Sequence, residues 1–428
     1  MQDVLTLILG GGRGVPLFPL TRHRSEPAVP LAGKYRLIDV PISNCLNSGL
    51  QQIFVLTQFL SVSLHRHLAQ TFKVEMFSRG FVEVLHAQQT NETADWYQGT
   101  ADAVRQHMDY LAGFPVRDVL VLYADQLYRM DFHALLTQHR ESRADVTMAV
   151  LPVNRDRSPR VGLLQVDSDD TVVALSEKPH TEAALASLRV GRDFFDRNDR
   201  QQLGRDYLAN MGIYAFRRDA LLDLLRTQPN ATDLVRGILA PALSSHRVKA
   251  YLFDGYWEDL GTIASYFHAH MALLADQPPF DFGSQDGVVY TRMRNLPASR
   301  VRAASVERCM IADGCTVGPG TELVDSVVGV RSRVGANVRL KQTILIGADG
   351  YESNGQQAEN RRQGLPDVGV GDGSVIERAI LDKDCRIGRG VRIVNARGVA
   401  EEESEKYVIR DGIVVIPNGT VIPDGTVI

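Results

Sequence analysis

Beyond about residue 300 the apolar residues recur every six positions. Ile311, Val317 and Leu323 set the interval, and after a slip of one residue Val328, Val334, Leu340 and Ile346 resume it. Val375, Leu381, Ile387 and Ile393 follow, and then Val415, Val421 and Val427. A helix repeats its apolar face at 3.6 and a strand at 2. A period of six belongs to a parallel β-helix, in which each hexapeptide forms one side of a coil and turns its apolar residue inward. Gly318, Gly329, Gly335, Gly347 and Gly388 suit the corners. A β-helix is therefore expected over 301–428. Two polar interruptions, 348–367 and 396–406 with the acidic run Glu401-Glu402-Glu403, are expected to loop out of the coils.

Residues 1–275 follow a different rule. Short continuous apolar runs at Leu5–Leu9, Ile53–Thr57, Val119–Tyr123 and Val146–Leu151 read as strands buried on both faces. Helical patterns lie between them, the clearest from Ala101 to Ala112 with Thr100 as its N-cap. The alternation predicts an α/β domain with an open, mostly parallel, Rossmann-like sheet, whose ligands sit beyond the carboxyl ends of its strands. Asp276-Gln277-Pro278-Pro279 breaks the last helix, so 276–300 is read as a linker.

Charge excludes some partners. Lys and Arg number 47 against 51 Asp and Glu, a formal net charge of −4, which gives neither nucleic acid nor an anionic membrane a reason to bind. Cys45, Cys309, Cys315 and Cys385 form no CxxC pair and are expected as reduced thiols. With no basic leader and no apolar stretch of membrane-spanning length, the expected location is the cytoplasm.

The sharpest local feature is Leu7-Ile8-Leu9-Gly10-Gly11-Gly12-Arg13-Gly14, a strand feeding glycines. Such a loop brings backbone N–H groups close to phosphate oxygens. It lacks the Gly-Lys-Ser/Thr of a Walker loop and the glycine spacing of a dinucleotide fingerprint.

Its surroundings are more specific. Gly33-Lys34-Tyr35-Arg36-Leu37-Ile38-Asp39, Ser43-Asn44-Cys45-Leu46-Asn47-Ser48-Gly49, Trp96-Tyr97-Gln98-Gly99-Thr100-Ala101-Asp102-Ala103-Val104 and Gly255-Tyr256-Trp257-Glu258-Asp259 resemble the ADP-glucose pyrophosphorylases, also called glucose-1-phosphate adenylyltransferases. Tyr128-Arg129-Met130-Asp131 and Glu177-Lys178-Pro179 agree, and Val327–Arg333 with Gly347-Ala348-Asp349 is similar to the cyanobacterial and plant branch. The resemblance implies a nucleotidyltransferase domain followed by a left-handed parallel β-helix. It also implies the reaction of ATP with glucose 1-phosphate to give ADP-glucose and pyrophosphate. Asp125 and Asp259 would then hold Mg²⁺. Gly10, Gly11, Gly12, Gly14, Gln88, Gly99 and Thr100 would bind nucleotide. Tyr97, Gly162, Glu177, Lys178, Asn210 and Tyr256 would bind glucose 1-phosphate, Lys178 through its phosphate. Asn210 stands where that family usually has Ser.

Two positions depart from the family pattern. Pro16 stands where its Gly-Thr-Arg-Leu carries the arginine that clamps pyrophosphate, and Glu26 where its Ala-Lys-Pro carries the lysine. Two readings follow: an adenylyltransferase of glycogen- or starch-like synthesis, or a catalytically impaired paralogue that binds ligands or modulates a catalytic homologue. A β-helix acyltransferase is weaker, because no histidine lies beyond His270. The resemblance further implies a homotetramer or heterotetramer with anionic effectors bound between the domains. Arg22, Arg24 and Arg36 are candidates to meet an anion, but Pro417 stands where that branch often has an effector-binding Lys, so an altered response is expected.

Overall fold

The computed structural model describes residues 3–73, 79–87, 96–198, 202 and 204–428. Its first half is built on a nine-stranded sheet: β1 (Val4–Leu9), β2 (Gln52–Thr57), β3 (Phe81–His86), β4 (Asp118–Tyr123), β5 (Val146–Val153), β6 (Leu163–Val166), β7 (Val172–Ser176), β8 (Tyr207–Arg217) and β9 (Val248–Leu252). The order is β7-β6-β8-β4-β1-β2-β3, with β5 also against β8 and β9 outside β5. All but β7 and β8 run in one direction. The apolar runs are continuous because both faces are covered: Ile8, Ile53, Val55, Leu120 and Leu122 enter one core, and Leu5, Leu7, Phe54, Val119 and Val121 the other.

The topology gathers several chain ends at one edge. Leu9 pairs with Tyr123 in parallel register, so the glycine loop after β1 lies beside Asp125 after β4. A short ribbon then pairs Trp257–Asp259 with Gln126–Tyr128, Asp259 opposite Gln126. The Leu260 N–H donates to the Asp125 carbonyl at 2.9 Å, fixing the two aspartates as neighbours.

The helix expected over 101–112 is two, Thr100–Arg105 and Met108–Ala112, and the N-cap is Gly99 rather than Thr100. Thr100 Oγ1 instead accepts the N–H of distant Leu234 at 2.8 Å. The break falls at His107, whose ring nitrogen meets the Tyr97 hydroxyl at 2.5 Å.

Residues 276–300 are better called a strap than a linker. Phe280, Phe282 and Val289 are buried in the first core, and Phe282 stacks on Tyr35 at 4.2 Å. Asn47 Nδ2 donates to the Val288 carbonyl, the Tyr290 N–H to Ser43 Oγ and Arg294 to the Lys34 carbonyl.

The second half is a stack of parallel coils with three inward ladders: Val317–Val334–Val370–Ile387–Ile422, Leu323–Leu340–Ile376–Ile393 and Val328–Leu345–Leu381–Ile416. Thr316 lies over Arg333 and Glu322 over Arg339, one residue short of three hexapeptides per coil, which produces the slip in the sequence. It also corrects the expected register. Ile376 and Ile422 point inward where Val375 and Val421 were expected, and Val427 is exposed. The interruption at 348–367 is not a loop throughout. Asn354–Gln363 is a helix with a capping box between Ser353 and Gln356 and a left-handed Gly364 at its end. The interruption at 396–406 contributes a strand, Glu402–Glu403, to an antiparallel turn with Val408–Arg410. The two halves meet at a buried ion pair, Arg24 Nη1 to Asp382 Oδ1 at 2.8 Å, and at the Val330 N–H donating to the Gly33 carbonyl. Cys45, Cys315 and Cys385 are buried free thiols and Cys309 is half-buried. Among the described residues no helix is long and apolar enough to cross a membrane.

Candidate active site

A cavity of about 270 Å³ opens at the edge where β1 and β4 end. Of the residues anticipated for nucleotide, Gly10, Gly11, Gly12, Gly99 and Thr100 line it together with Tyr97, Tyr123, Glu26 and Asp125. Gly14 sits just behind at φ 57°, held by the Thr21 hydroxyl donating to its carbonyl at 2.9 Å. A side chain there would meet Thr21 at 2.7 Å, so the turn needs glycine on both counts. Gln88 lies outside the described residues. Pro16 is exposed in a single 3₁₀ turn, Val15–Leu17, and does not line the cavity. Arg13 is the one cation among the lining residues.

The floor of the cavity is acidic. A carbon added to Gly261 would lie 3.0 Å from Asp259 Oδ1, 3.5 Å from Glu26 Oε1 and 3.7 Å from Asp125 Oδ2, so these carboxylates converge on one point. Burial, then the Asp259 charge, push the Glu26 carboxyl up to about 7. Burial holds Asp125 well above the usual carboxylate range, with Asp259 and then Glu26 adding to it. Asp125 Oδ1 is buried without a hydrogen-bond partner. An orphaned carboxylate oxygen beside a second carboxylate fits a hard divalent cation such as Mg²⁺, which takes one or two carboxylates and completes its shell with water and substrate phosphate. Among the described residues no group of three or more His, Cys, Asp or Glu is arranged to hold a metal by itself.

A bracket that no sequence motif marked steadies Asp259. Arg157 lies over the Trp257 ring at 5.1 Å, donates to its carbonyl and pairs with Glu258 at 3.2 Å. Trp257 Nε1 donates to Gln126 Oε1 at 3.1 Å.

The anticipated sugar residues fall in three places. Gly162, Glu177 and Asn210 are together: the Asn210 N–H donates to the Gly162 carbonyl at 2.8 Å, and a side chain at Gly162 would collide with Glu177 Oε1 at 2.6 Å. Burial and then Asp233 raise the Glu177 carboxyl, against Arg236 and Lys178. Lys178 follows at φ 46°, exposed. Asn210 is engaged internally, Nδ2 to the Tyr214 hydroxyl at 2.8 Å and Oδ1 from the Gly212 N–H at 3.1 Å. Tyr97 stands beside the glycine loop, its ring 3.8 Å from a carbon on Gly11, and Tyr256 faces Phe280 of the strap with ring centroids 6.5 Å apart.

Arg24, a candidate for an effector anion, is occupied by Asp382. Arg36 donates to the Ser63 carbonyl at 2.8 Å.

Known families divide the chain where its two periodicities change. Residues 5–276 match the nucleotidyl transferase family, and residues 294–427 match the GLGC left-handed parallel beta-helix domain. A nucleotidyl transferase domain followed by this left-handed β-helix domain is the architecture of ADP-glucose pyrophosphorylase-like proteins. By its first 270 or so residues the chain belongs to the nucleotidyl transferase family.

Proposed function

We propose that this chain takes ATP and glucose 1-phosphate as ligands, with the specificity of a glucose-1-phosphate adenylyltransferase, and that its turnover is strongly attenuated. The reaction joins a phosphate oxygen of glucose 1-phosphate to the α-phosphorus of ATP and breaks the bond to the departing pyrophosphate. Catalysis of such a transfer is positioning and charge stabilisation. The glycine loop offers N–H donors to the phosphates. Lys178 offers its ammonium to the sugar phosphate, and Glu177 accepts from sugar hydroxyls. Asp125 and Asp259 would hold Mg²⁺, which when bound neutralises charge on the phosphates.

One observation favours the second reading, an impaired paralogue beside a catalytic homologue in a tetramer. The Glu26 carboxyl lies under the glycine loop, a carbon on Gly12 being 3.3 Å from its Oε2, where pyrophosphate needs a cation. Loss of such a cation costs on the order of 10³–10⁵ in rate. The test is pyrophosphate release from ATP, Mg²⁺ and glucose 1-phosphate by the purified chain. Turnover of ordinary enzymes, on the order of 10 s⁻¹, would sink the attenuated reading. Failure to bind either ligand in a calorimeter would sink the ligand assignment.

A further inference from the structure

Two histidines meet outside the cavity, where β2 and β3 end. Thr57 and His86 are the last residues of those strands and lie opposite each other in parallel register. Thr57 is buried, and its Oγ1 is 3.0 Å from His86 Nδ1. Beyond Thr57 the chain passes through Gln58 into the helix Val62–Thr71, which sets the His65 ring beside that of His86. The ring centroids are 5.7 Å apart and the planes are inclined at 57°. His67, two residues further on, is buried and held by Asp39 at 2.5 Å. His65 and His86 are exposed instead, and share an open pocket of about 460 Å³ with Ser61, Val62, Arg66 and Ala69.

The spacing is that of two imidazoles on one ion. With metal–nitrogen bonds of about 2.1 Å and an angle of about 110–130° at the metal, ring centroids lie about 5–6 Å apart. Thr57 supplies the orientation. When its hydroxyl accepts the Nδ1–H of His86, that ring is held in the tautomer whose Nε2 lone pair is free for a metal. Among the described residues no carboxylate or thiol lines the pocket. Imidazole donors suit zinc, copper and nickel, whereas Mg²⁺ and Ca²⁺ call for oxygen ligands. The pocket leaves room for water or an anion in the remaining coordination positions, and the Arg66 cation suits the anion. We propose that His65 and His86 form a binding site for a divalent transition-metal ion, separate from the Asp125–Asp259 pair, with Thr57 as the residue that orients one ligand. An ion there ties the helix to the end of β3. Gln58, in the segment that joins β2 to the helix, lines the nucleotide cavity. The site does not depend on the adenylyltransferase reading.

The experiment is calorimetric titration of the full chain with ZnCl₂ in the presence of excess Mg²⁺, with melting followed in parallel. The wild type is expected to take up a zinc ion that Mg²⁺ does not displace, and to melt at a higher temperature with it. His65→Gln and His86→Gln, both at exposed positions, should each abolish that uptake. Thr57→Val should weaken it by about ten- to a hundredfold, and Thr57→Ser, which keeps the hydroxyl, should bind as the wild type does. If Thr57→Val loses its melting transition, the two histidine variants carry the test. No uptake by the wild type, or uptake that persists in either histidine variant and so marks adventitious binding elsewhere, would overturn the site. Equal affinity in a folded Thr57→Val variant and the wild type would overturn the role of Thr57.

Discussion

Arg24 and Glu26 lie two residues apart in one loop, and the fold treats their charges in opposite ways. Arg24 is buried against Asp382 of the β-helix at 2.8 Å, and its guanidinium also donates to the Leu20 carbonyl. Glu26 is turned towards Asp125 and Asp259 and keeps its proton to about pH 7 because burial and Asp259 disfavour its charge. Charge at the seam is matched across the domains, whereas charge in the cavity is stacked with its own sign. The seam serves assembly of the two halves, and the cavity retains a frustration that only a cation or a proton relieves.

The strongest way to break the comparison is to give the cavity what the seam already has. Pro16→Arg with Glu26→Lys should raise pyrophosphate release by on the order of 10³-fold. No gain in a variant that melts like its parent would show that the loop was not the sole defect. Taking the partner from the seam should do the reverse. Asp382→Ala leaves Arg24 buried and unpaired and should cost about 3–5 kcal/mol in urea unfolding, whereas Arg24→Met with Asp382→Leu should recover most of it.

Glu26→Gln sharpens the contrast through pH. Glu26 is raised from 4.5 to about 7 on folding, so the folded chain binds its proton more tightly than the unfolded chain. The stability it contributes is complete below about pH 4.5 and is lost as pH rises through 7. With divalent cations chelated, Glu26→Gln should therefore gain up to about 3 kcal/mol at pH 8. That gain should vanish as the pH falls towards 4.5, and a pH-independent difference in melting would refute the buried proton. The smallest effect belongs to the sugar end, where Lys178 adjoins Glu177. Lys178→Gln should weaken glucose 1-phosphate by about tenfold, the worth of one charge-assisted hydrogen bond, and leave ATP affinity alone.

Much of the fold was legible because its signals are local or repeated. The β-helix announced itself through residues such as Val317, Val334 and Ile387, each of which meets its like in the next coil. The register failed at Val375 because a coil is one residue short of three hexapeptides, and at Val421 because the interruption at 396–406 separates the paired residues Ile387 and Ile422. The glycine loop was readable as a strand end, and the gathering of Gly10–Gly12, Gly99, Thr100 and Asp125 in one cavity follows the family motifs. The inserted helix carried its signal in Ser353 and Gln356, but its polar face gave no apolar period to read. Contacts between distant residues left no trace. Nothing in the sequence places Glu26 against Asp259, Asp382 against Arg24, or the Tyr123 ring on Gly212.

The strap across 276–300 has a bearing on how the chain ages. Phe280 and Phe282 are sunk in the first core, its backbone is tied to Asn47 and Ser43 ahead of the exposed Met293, and the Arg294 guanidinium holds the Lys34 carbonyl after it. A protease that cuts at Met293 would leave a nick rather than two separated bodies, since the Arg24–Asp382 pair and the Gly33–Val330 bond still bridge the halves. Damage of that kind would show as two bands on a denaturing gel and as one intact particle on a sizing column.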